Sequence, residues 1–424
     1  MERPLTTHFR NGSEPLSLAE YEAKDGYVAV RKALREMSPQ AVVDLVSDSR
    51  LRGRGGAGFP TGEKWRSMPC GPDAPCPKYF VVDADEMEPG TFKDRVLMEG
   101  DPHQLIEGII IGSYAVGSDC AYLFLRNEYK LATRRLRTAI AEAYDRGYLG
   151  TRILGTDYSL ELHLHVSAGR YICGEGSALA RALEGKRAIP SPRPPQQTMS
   201  GLWGKPTNMN NVETICNVKH IVNHGSDWFK GLSLCKDGGT KIYGVSGKVR
   251  RPGAWELPMG TTIRDLIEAH AGGMRDGLKF RGVLPGGAST DFLLEQHLDV
   301  PMDFDSVQEA GSRLGTGTMI VLDDRTCPVG MVLNLERFFA RESCGWCTPC
   351  REGLPLVAGI LEDIEEGRGQ PDHLEALQDH TRLLWLGRTF CALAPGAMEP
   401  LRSALRFFRE DFERHIKEKR CPYR

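Results

Sequence analysis

KYFVVDADEMEPG (78–90), DPHQLIEGIIIGSYAVG (101–117), AYLFLRNEY (121–129), LATRRLRTAIAEAYDRG (131–147) and LELHLHVSAG (160–169) follow one another in a chain of 424 residues, and their alternation decides the fold. The first, third and fifth are short and either apolar or alternating, as strands are. The fourth carries its apolar residues at helical spacing. Strands alternating with helices predict an α/β domain on a mostly parallel sheet. Segment 101–117 is apolar, but it is short for a membrane span and contains Glu107, so it reads as a buried helix.

Outward from this block, residues 16–50 read as helical, with Ser38 as a cap and Pro39 in the first turn of SPQAVVDLVSDSR. A glycine-rich loop, LRGRGGAGFPTGEKW (51–65), follows. On the other side, RYICGEGSALARALEG reads as a loop and helix, and AIPSPRPPQQTMSGLWGKP (188–206) as an ordered loop over a ligand site. After Gly238 the chain reads as hairpin, helix and two strands, the pattern of a small β-grasp module. From Val329 it reads as a helical bundle. The expected division is 1–62, an N-terminal helical segment with the glycine loop; 63–236, an α/β ligand-binding domain; 237–327, the β-grasp domain; and 328–424, the helical domain.

The 54 basic and 56 acidic residues give a net charge of −2, so neither nucleic acid nor an anionic membrane surface is an expected partner. Twelve cysteines in a chain of this length are too few for a disulfide scaffold and point to a reducing compartment. The opening MERPLTTHFRNGSEPLS has no apolar core, so no secretory leader is expected. Direct membrane insertion is not expected either, and any association with a membrane would come through partners.

Cys344, Cys347 and Cys350 in ESCGWCTPCREG, with Cys391 in RTFCALAPG, are spaced C-x2-C-x2-C and then a distant C. Three closely spaced thiolates and a remote fourth meet the requirement of a [4Fe–4S] cube. A structural zinc site would more naturally show two separated C-x2-C pairs. In the glycine loop, Gly53, Gly55, Gly56, Gly58 and Gly62 allow close backbone approach to a phosphate, Lys64 can neutralise it, and Phe59 offers a flat apolar face. The loop is neither a P-loop nor the dinucleotide fingerprint, and a plain flexible turn is the competing reading. Asp83, Asp85, Glu86 and Glu88 crowd a strand end, which is costly unless ligand hydroxyls or backbone amides donate to them. A solvated acidic loop or a hard-cation site would look the same. Gly174 and Gly176 flank Glu175 at a helix start, and Asn210 and Asn211 either contact a ligand or cap a loop. Cys173 and Cys216 read as inert core thiols.

Together RGRGGAGFPTG, DADEMEPGTFKDR, GRYICGE, GLWGKPT, NNVET, ESCGWCTPCR and FCALAPGA resemble, in order and nearly end to end, the flavin-carrying, NADH-oxidising subunits of respiratory complex I. The resemblance implies a Rossmann-like domain in which Gly53, Arg54, Gly55, Gly56, Lys64, Asp83, Asp85, Glu86, Gly174, Glu175, Asn210, Asn211 and Thr214 hold FMN. It implies that Phe59 and Trp203 stack on the adenine of NADH, that Glu88 and Tyr171 lie by the nicotinamide as the catalytic pair, and that Gly176 faces the adenosine ribose. Cys344, Cys347, Cys350 and Cys391 would bind the first [4Fe–4S] cluster. Hydride passes directly from NADH to the flavin, so stacking, orientation and electrostatics are what the protein supplies. The implied partners are a thioredoxin-like [2Fe–2S] subunit and a large iron–sulfur subunit, in the peripheral arm on the cytoplasmic side of the inner membrane.

Related chains serve as diaphorase subunits of soluble NAD-linked hydrogenases and formate dehydrogenases, the alternative reading. A non-catalytic binding protein with zinc-dependent architecture is a third. This chain departs from the family's usual GEE at 174–176, where the second carboxylate gives way to Gly176. An acid at that place favours a ribose 2′-hydroxyl and repels a 2′-phosphate, so weaker rejection of NADPH is expected. Asp83 stands where the family tends to read Asn, placing one more carboxylate by the flavin, and Ser167 stands where it tends to read Gly.

Overall fold

The computed structural model describes residues 2–10, 14–71 and 73–424; residues 1 and 11–13 of the N-terminal stretch read above as lacking an apolar core, and residue 72, lie outside them. The chain forms two compact units. One comprises Met1–Met87, Phe92–Ile242 and Glu256–Gly260, the other Glu88–Thr91, Tyr243–Trp255 and Thr261–Arg424.

The first unit is the expected α/β domain. Its strands are β1 (Tyr79–Ala84), β2 (Cys120–Leu125), β3 (Glu161–Val166) and β4 (Thr207–Asn211), in the order β3-β2-β1-β4. All neighbours run parallel, with Tyr79 opposite both Cys120 and Thr207, and Cys120 opposite Glu161. β4 is a strand the sequence reading missed. Its residues, TNMNN, lack the β-branched pattern of a buried strand, but pairing with the central β1 along its whole length overrides that preference.

Helix Pro102–Val116 shows how the core is closed. Asp101 caps it by accepting from the Gln104 amide at 3.2 Å, and Gly117 ends it at φ +69°. All of its 15 residues except Tyr114 are buried, which is why the segment is apolar on every face. Its one carboxylate, Glu107, is satisfied in place: Tyr21 donates at 2.6 Å, the Ala29 amide at 3.2 Å, and Lys219 Nζ lies at 3.3 Å. A Cβ at Gly108 would stand 2.2 Å from the Ile215 carbonyl oxygen, and one at Gly112 would stand 2.5 Å from the Phe80 ring. The helix therefore touches helix Val212–His224 at backbone distance and packs its Gly112 against the Phe80 ring of β1.

The second unit carries β7 (Phe280–Leu284) and β8 (Thr318–Asp323), which join β5 (Thr240–Gly247) and β6 (Gly253–Pro258) in the order β6-β5-β8-β7. β5 and β8 are parallel and β7 and β8 antiparallel, with two short helical turns, Ile263–Asp265 and Leu266–His270, between β6 and β7. This is the β-grasp arrangement. Helices Pro328–Glu342, Thr348–Glu365, Pro371–Leu383, Leu393–Phe407 and Arg409–Glu418 complete the unit. The last two read as one continuous helix in the sequence, and Phe408 separates them. Among the described residues no helix is long and apolar enough to cross a membrane.

Gly108→Ala is expected to lower the thermal midpoint, at a cost of about 1–3 kcal/mol, because backbone rather than a mobile side chain blocks the new methyl. Gly359→Ala is the control: nothing lies within 4 Å of its Cβ position in helix Thr348–Glu365, and this change should stabilise by roughly 0.5–1 kcal/mol. Calorimetry of the two variants reads the contrast.

Candidate functional site

From β1 the chain proceeds outward to β2 and β3, then returns to place β4 on the other side of β1. Ligands of open parallel sheets bind beyond the carboxyl ends of such a pair of strands. The acidic segment leaves β1 there, and Asn210 and Asn211 close β4 there. The glycine loop is tied to the same end, since the Arg54 amide donates to Thr214 Oγ1 at 2.8 Å. A Cβ at Gly55 would sit 3.1 Å from Asn211 Cβ, and Gly56 has φ +122°, so both positions favour glycine. The loop closes through Gly53 N to Phe59 O at 2.8 Å and leaves the Phe59 ring 54% exposed, available to stack.

The sequence reading did not foresee the buried ionic cluster beneath this loop. Lys93 Nζ lies 2.7 Å from Asp94 and 2.8 Å from Glu213, and Lys241 Nζ lies 3.1 Å from Glu213. Arg54 is fully buried and donates to the Gly238 and Thr240 carbonyls, while its Nε and Nη1 have no hydrogen-bond partner. Burial works to raise Glu213, but Lys241, Lys93 and Arg54 outweigh it and hold its carboxyl at about 2. Lys93 takes that charge: burial opposes it, yet Asp94, Glu213 and Glu86 keep its pKa above the ordinary lysine value. Burial pulls Lys241 down to about 7, Glu213 resisting and Lys93 and Arg54 adding to the fall. Arg54, Lys93 and Lys241 are thus set against Glu213, Asp94 and Glu86 with the charges nearly balanced. Lys64 sits in a cationic setting, its pKa lowered by burial and by Arg193, with Nζ donating to Met209 O at 2.9 Å.

The four crowded carboxylates divide the available donors unequally. Asp83 accepts from the Asp85 amide at 3.0 Å. Glu86 accepts from the Asp94 and Arg95 amides at 2.8 and 3.2 Å and from the Tyr129 hydroxyl at 2.9 Å. Glu88, in the second unit, accepts from the amide and hydroxyl of Ser289 at 2.6 and 2.7 Å. Asp85 is buried, and neither of its oxygens closes a hydrogen bond of full geometry with protein. Burial pushes it up to about 6, against the nearby Ser167 hydroxyl and Arg126 guanidinium. Burial pushes Glu86 up to about 7, with Asp94 adding to it. Part of the Asp83 surface remains open, but protein closely surrounds its carboxyl. That burial, with Asp85 and Asp94 adjacent, raises it to about 8. The extra negative charge expected at Asp83 is therefore largely absent at neutral pH.

Other expected residues are placed more variously. Asn211 caps helix Val212–His224 by accepting from Glu213 N at 3.0 Å, and Nδ2 donates to Asp94 at 2.7 Å. The Asn210 amide is engaged by Trp65 at 3.1 Å and Asn208 at 2.9 Å. Glu175 caps helix Gly176–Leu183 and pairs with Arg193 at 2.6 Å, while Gly174 has open space at its Cβ position. Tyr171 begins the turn Tyr171–Gly174. Trp203 is not at the carboxyl-end crevice. Its ring packs edge-on to Tyr79, the first residue of β1, and to Tyr122, at centroid distances of 5.2 and 5.9 Å. The adenine-stacking place expected of it is therefore at the wrong end of the strands. Cys173 and Cys216 are buried, as expected.

In the second unit, Cys347 stands at the N-cap position of helix Thr348–Glu365 without a side-chain capping bond, and Cys350 lies in its first turn. Burial pushes the Cys350 thiol up to about 12, and Cys347, Cys391 and Cys344 add to the rise, against the Ser343 hydroxyl at 3.2 Å. Each of the other three thiols thus acts on Cys350 across a short distance. Four thiols so placed become thiolates together only around bound cations.

The chain matches the Nuo51 FMN-binding domain over residues 46–220, the SLBB domain over 242–292 and the NADH-ubiquinone oxidoreductase-F iron-sulfur binding region over 330–415. It is 54% identical to the F subunit of NADH-quinone oxidoreductase from Salmonella typhimurium, across 98% of this chain and 93% of that one. The chain belongs to the NADH-quinone oxidoreductase F-subunit family. To the corresponding protein of Streptomyces coelicolor the identity is 46%, over 99% of this chain and 92% of that one. A solved NAD+-reducing [NiFe]-hydrogenase superimposes with a TM-score of 0.82 at 35% identity, over 93% of this chain; this chain spans 64% of that one. As a member of this family the chain carries FMN and a [4Fe–4S] cluster. Its residues fit both groups: the buried Asp85 carboxylate for sugar-like hydroxyls, the buried Arg54 guanidinium with Nε and Nη1 unpartnered for a phosphate, and three thiols acting on that of Cys350 for iron.

Asp85→Ala should weaken FMN retention by roughly ten- to a hundredfold, the worth of a charge-assisted hydrogen bond of about 1.5–3 kcal/mol. Flavin fluorescence released on dilution measures it. Asp83 should make stability fall as pH rises from about 4 to about 8, because across that window the folded carboxyl holds a proton that the unfolded one, at its ordinary value of 3.8, has lost. Asp83→Asn should flatten that fall in a thermal-midpoint series and leave FMN content at neutral pH unchanged.

Proposed function

We propose that this chain is the electron-input subunit of a complex I-type NADH:quinone oxidoreductase. The observation that carries the reading is that one chain combines the buried Asp85 carboxylate and the buried Arg54 guanidinium, whose Nε and Nη1 have no hydrogen-bond partner, with four cysteines of which three act on the fourth. Bound FMN supplies hydride acceptance from NADH and release of electrons one at a time to the [4Fe–4S] cluster.

The chain's own residues bind, orient and set the field. Gly55 and Gly56 admit the cofactor to backbone distance. Arg54, with Nε and Nη1 unpartnered, supplies charge for a phosphate group, and Asp85 accepts from ribityl or ribose hydroxyls. The exposed Phe59 ring stacks on a base. Glu88, fixed by Ser289, and Tyr171 act at the nicotinamide. Cys344, Cys347, Cys350 and Cys391 hold the cluster. In functional terms the chain divides into 1–62, 63–236, 237–327 and 328–424.

Within the larger assembly, a thioredoxin-like [2Fe–2S] subunit and a large iron–sulfur subunit are the partners, in the peripheral arm on the cytoplasmic side of the membrane. Trp346 and Phe390, next to Cys347 and Cys391, are 54% and 42% exposed and meet edge to face at 6.4 Å, an apolar surface suited to a partner. The hydrogenase-type diaphorase reading is weaker, because identity to a quinone-linked relative is 54% against 35%.

Selectivity for NADH is relaxed at Gly176. Glu175, the one carboxylate of its motif, is spent on its helix cap and on Arg193 and so is not free to oppose a 2′-phosphate. The test is steady-state ferricyanide reduction by the flavin-loaded chain with its partners. NADH should be the better substrate and NADPH a measurable one. Gly176→Glu should lower kcat/KM for NADPH at least about tenfold, a difference near 1.4 kcal/mol. Only the far ends of Gln197 and Met209 crowd the new side chain, at 2.6 and 2.8 Å from its Cβ. Unchanged discrimination in the variant sinks the Gly176 role alone. No activity with either nucleotide, despite bound FMN, sinks the enzymatic reading.

A further inference from the structure

A second group of metal-binding side chains lies in the helical region, apart from the four cysteines assigned to iron. Cys327 Sγ, a Glu365 carboxylate oxygen, a His415 ring nitrogen and Cys421 Sγ all stand within 4.8 Å of one another. Cys327 Sγ is 3.2 Å from Glu365 Oε2 and 3.3 Å from His415 Nε2, and these two atoms are 3.1 Å apart. The edges of a tetrahedron around zinc, with bonds of about 2.0–2.3 Å, measure roughly 3.3–3.8 Å. Glu365, His415 and Cys421 are buried, at 5%, 0% and 5% exposure.

The supporting contacts orient the donors inward. His415 Nδ1 donates to the Asp411 carbonyl at 2.6 Å, which fixes Nε2 as the atom with a free lone pair. Asp411 is itself held by Arg281 and Tyr423 through its carboxylate. The Gly330 amide donates to Cys327 Sγ at 3.2 Å, a contact that favours a thiolate. Arg424 pairs with the outer oxygen of Glu365 at 3.1 Å. Two thiolates and a carboxylate carry three negative charges, and a divalent cation with Arg424 balances them. Loading releases the two thiol protons to solvent.

We propose that Cys327, Glu365, His415 and Cys421 form a structural Zn2+ site. A tetrahedral S2NO donor set selects zinc among the common divalent ions. The site joins the start of helix Pro328–Glu342, the end of helix Thr348–Glu365, helix Arg409–Glu418 and the segment that follows it. Cys350 and Glu365 lie 15 residues apart on one helix, about 22 Å at 1.5 Å per residue, so the zinc site clamps the far end of the helix whose first turn serves the iron cluster.

The test uses the full chain in its native complex, purified without chelators, with zinc and iron measured by plasma mass spectrometry and the zinc shell read by X-ray absorption at the zinc edge. About one zinc per chain, bound by two sulfurs near 2.3 Å and two lighter atoms near 2.0–2.1 Å, is the expected result. Cys327→Ser with Cys421→Ser should remove that zinc and leave iron and FMN content unchanged. The absorption shell of the unaltered protein decides the matter if that variant does not assemble. Absence of zinc, an all-sulfur shell from zinc misplaced among the four cluster cysteines, zinc retained in the double variant, or a Cys327–Cys421 disulfide found by mass spectrometry would each overturn the proposal.

Discussion

Glu213 is the charge around which the flavin-side unit is arranged. It is fully buried, at the start of the helix that follows β4, and it accepts from the Ile242 amide at 2.8 Å while facing Lys93 and Lys241. Removing such a carboxylate would leave Lys241 buried without its counter-charge and Lys93 with Asp94 alone, a loss of about 3–5 kcal/mol. Its amide in turn bonds Asp94 and Asn211, so the same residue fixes the helix Lys93–Gly100, the end of β4 and the beginning of β5. The glycine loop inherits its position from this arrangement, because Thr214, one residue on, receives the Arg54 amide.

Around that anchor, the crowded acids of the β1 loop have separate duties. Glu86 is spent on the first amides of helix Lys93–Gly100, Glu88 on the Ser289 turn and Asp83 on its own loop. Asp85 has the Ser167 hydroxyl and the Arg126 guanidinium near it and no hydrogen bond of full geometry at either oxygen.

Most of the architecture was legible because it rests on local pattern: helical spacing at 131–147, a proline and serine at the start of 39–48, and the apolar run that becomes helix Pro102–Val116. β4 was not legible, since only its pairing with β1 makes a strand of TNMNN. The [4Fe–4S] region was readable from cysteine spacing alone. The ionic cluster was not, because Lys93, Glu213 and Lys241 look individually like surface residues, and burial is a property of the folded chain. Cys327, Glu365, His415 and Cys421 escaped for a related reason: they are scattered over almost a hundred positions, with no repeat to mark them. Trp203 misled in the opposite sense, as an aromatic beside a matched motif whose ring turned out to pack on Tyr79 and Tyr122.

The state of Asp83 bears on how such a chain drifts over generations. A carboxyl raised to about 8 is a neutral group through most of the cell's pH range, and a neutral carboxyl is nearly the same shape as a carboxamide. Aspartate and asparagine codons differ by a single base. The substitution that looks like the gain of a charge is therefore quiet in the folded chain, and its effect falls on folding instead, where the unfolded aspartate must take up a proton that asparagine does not need.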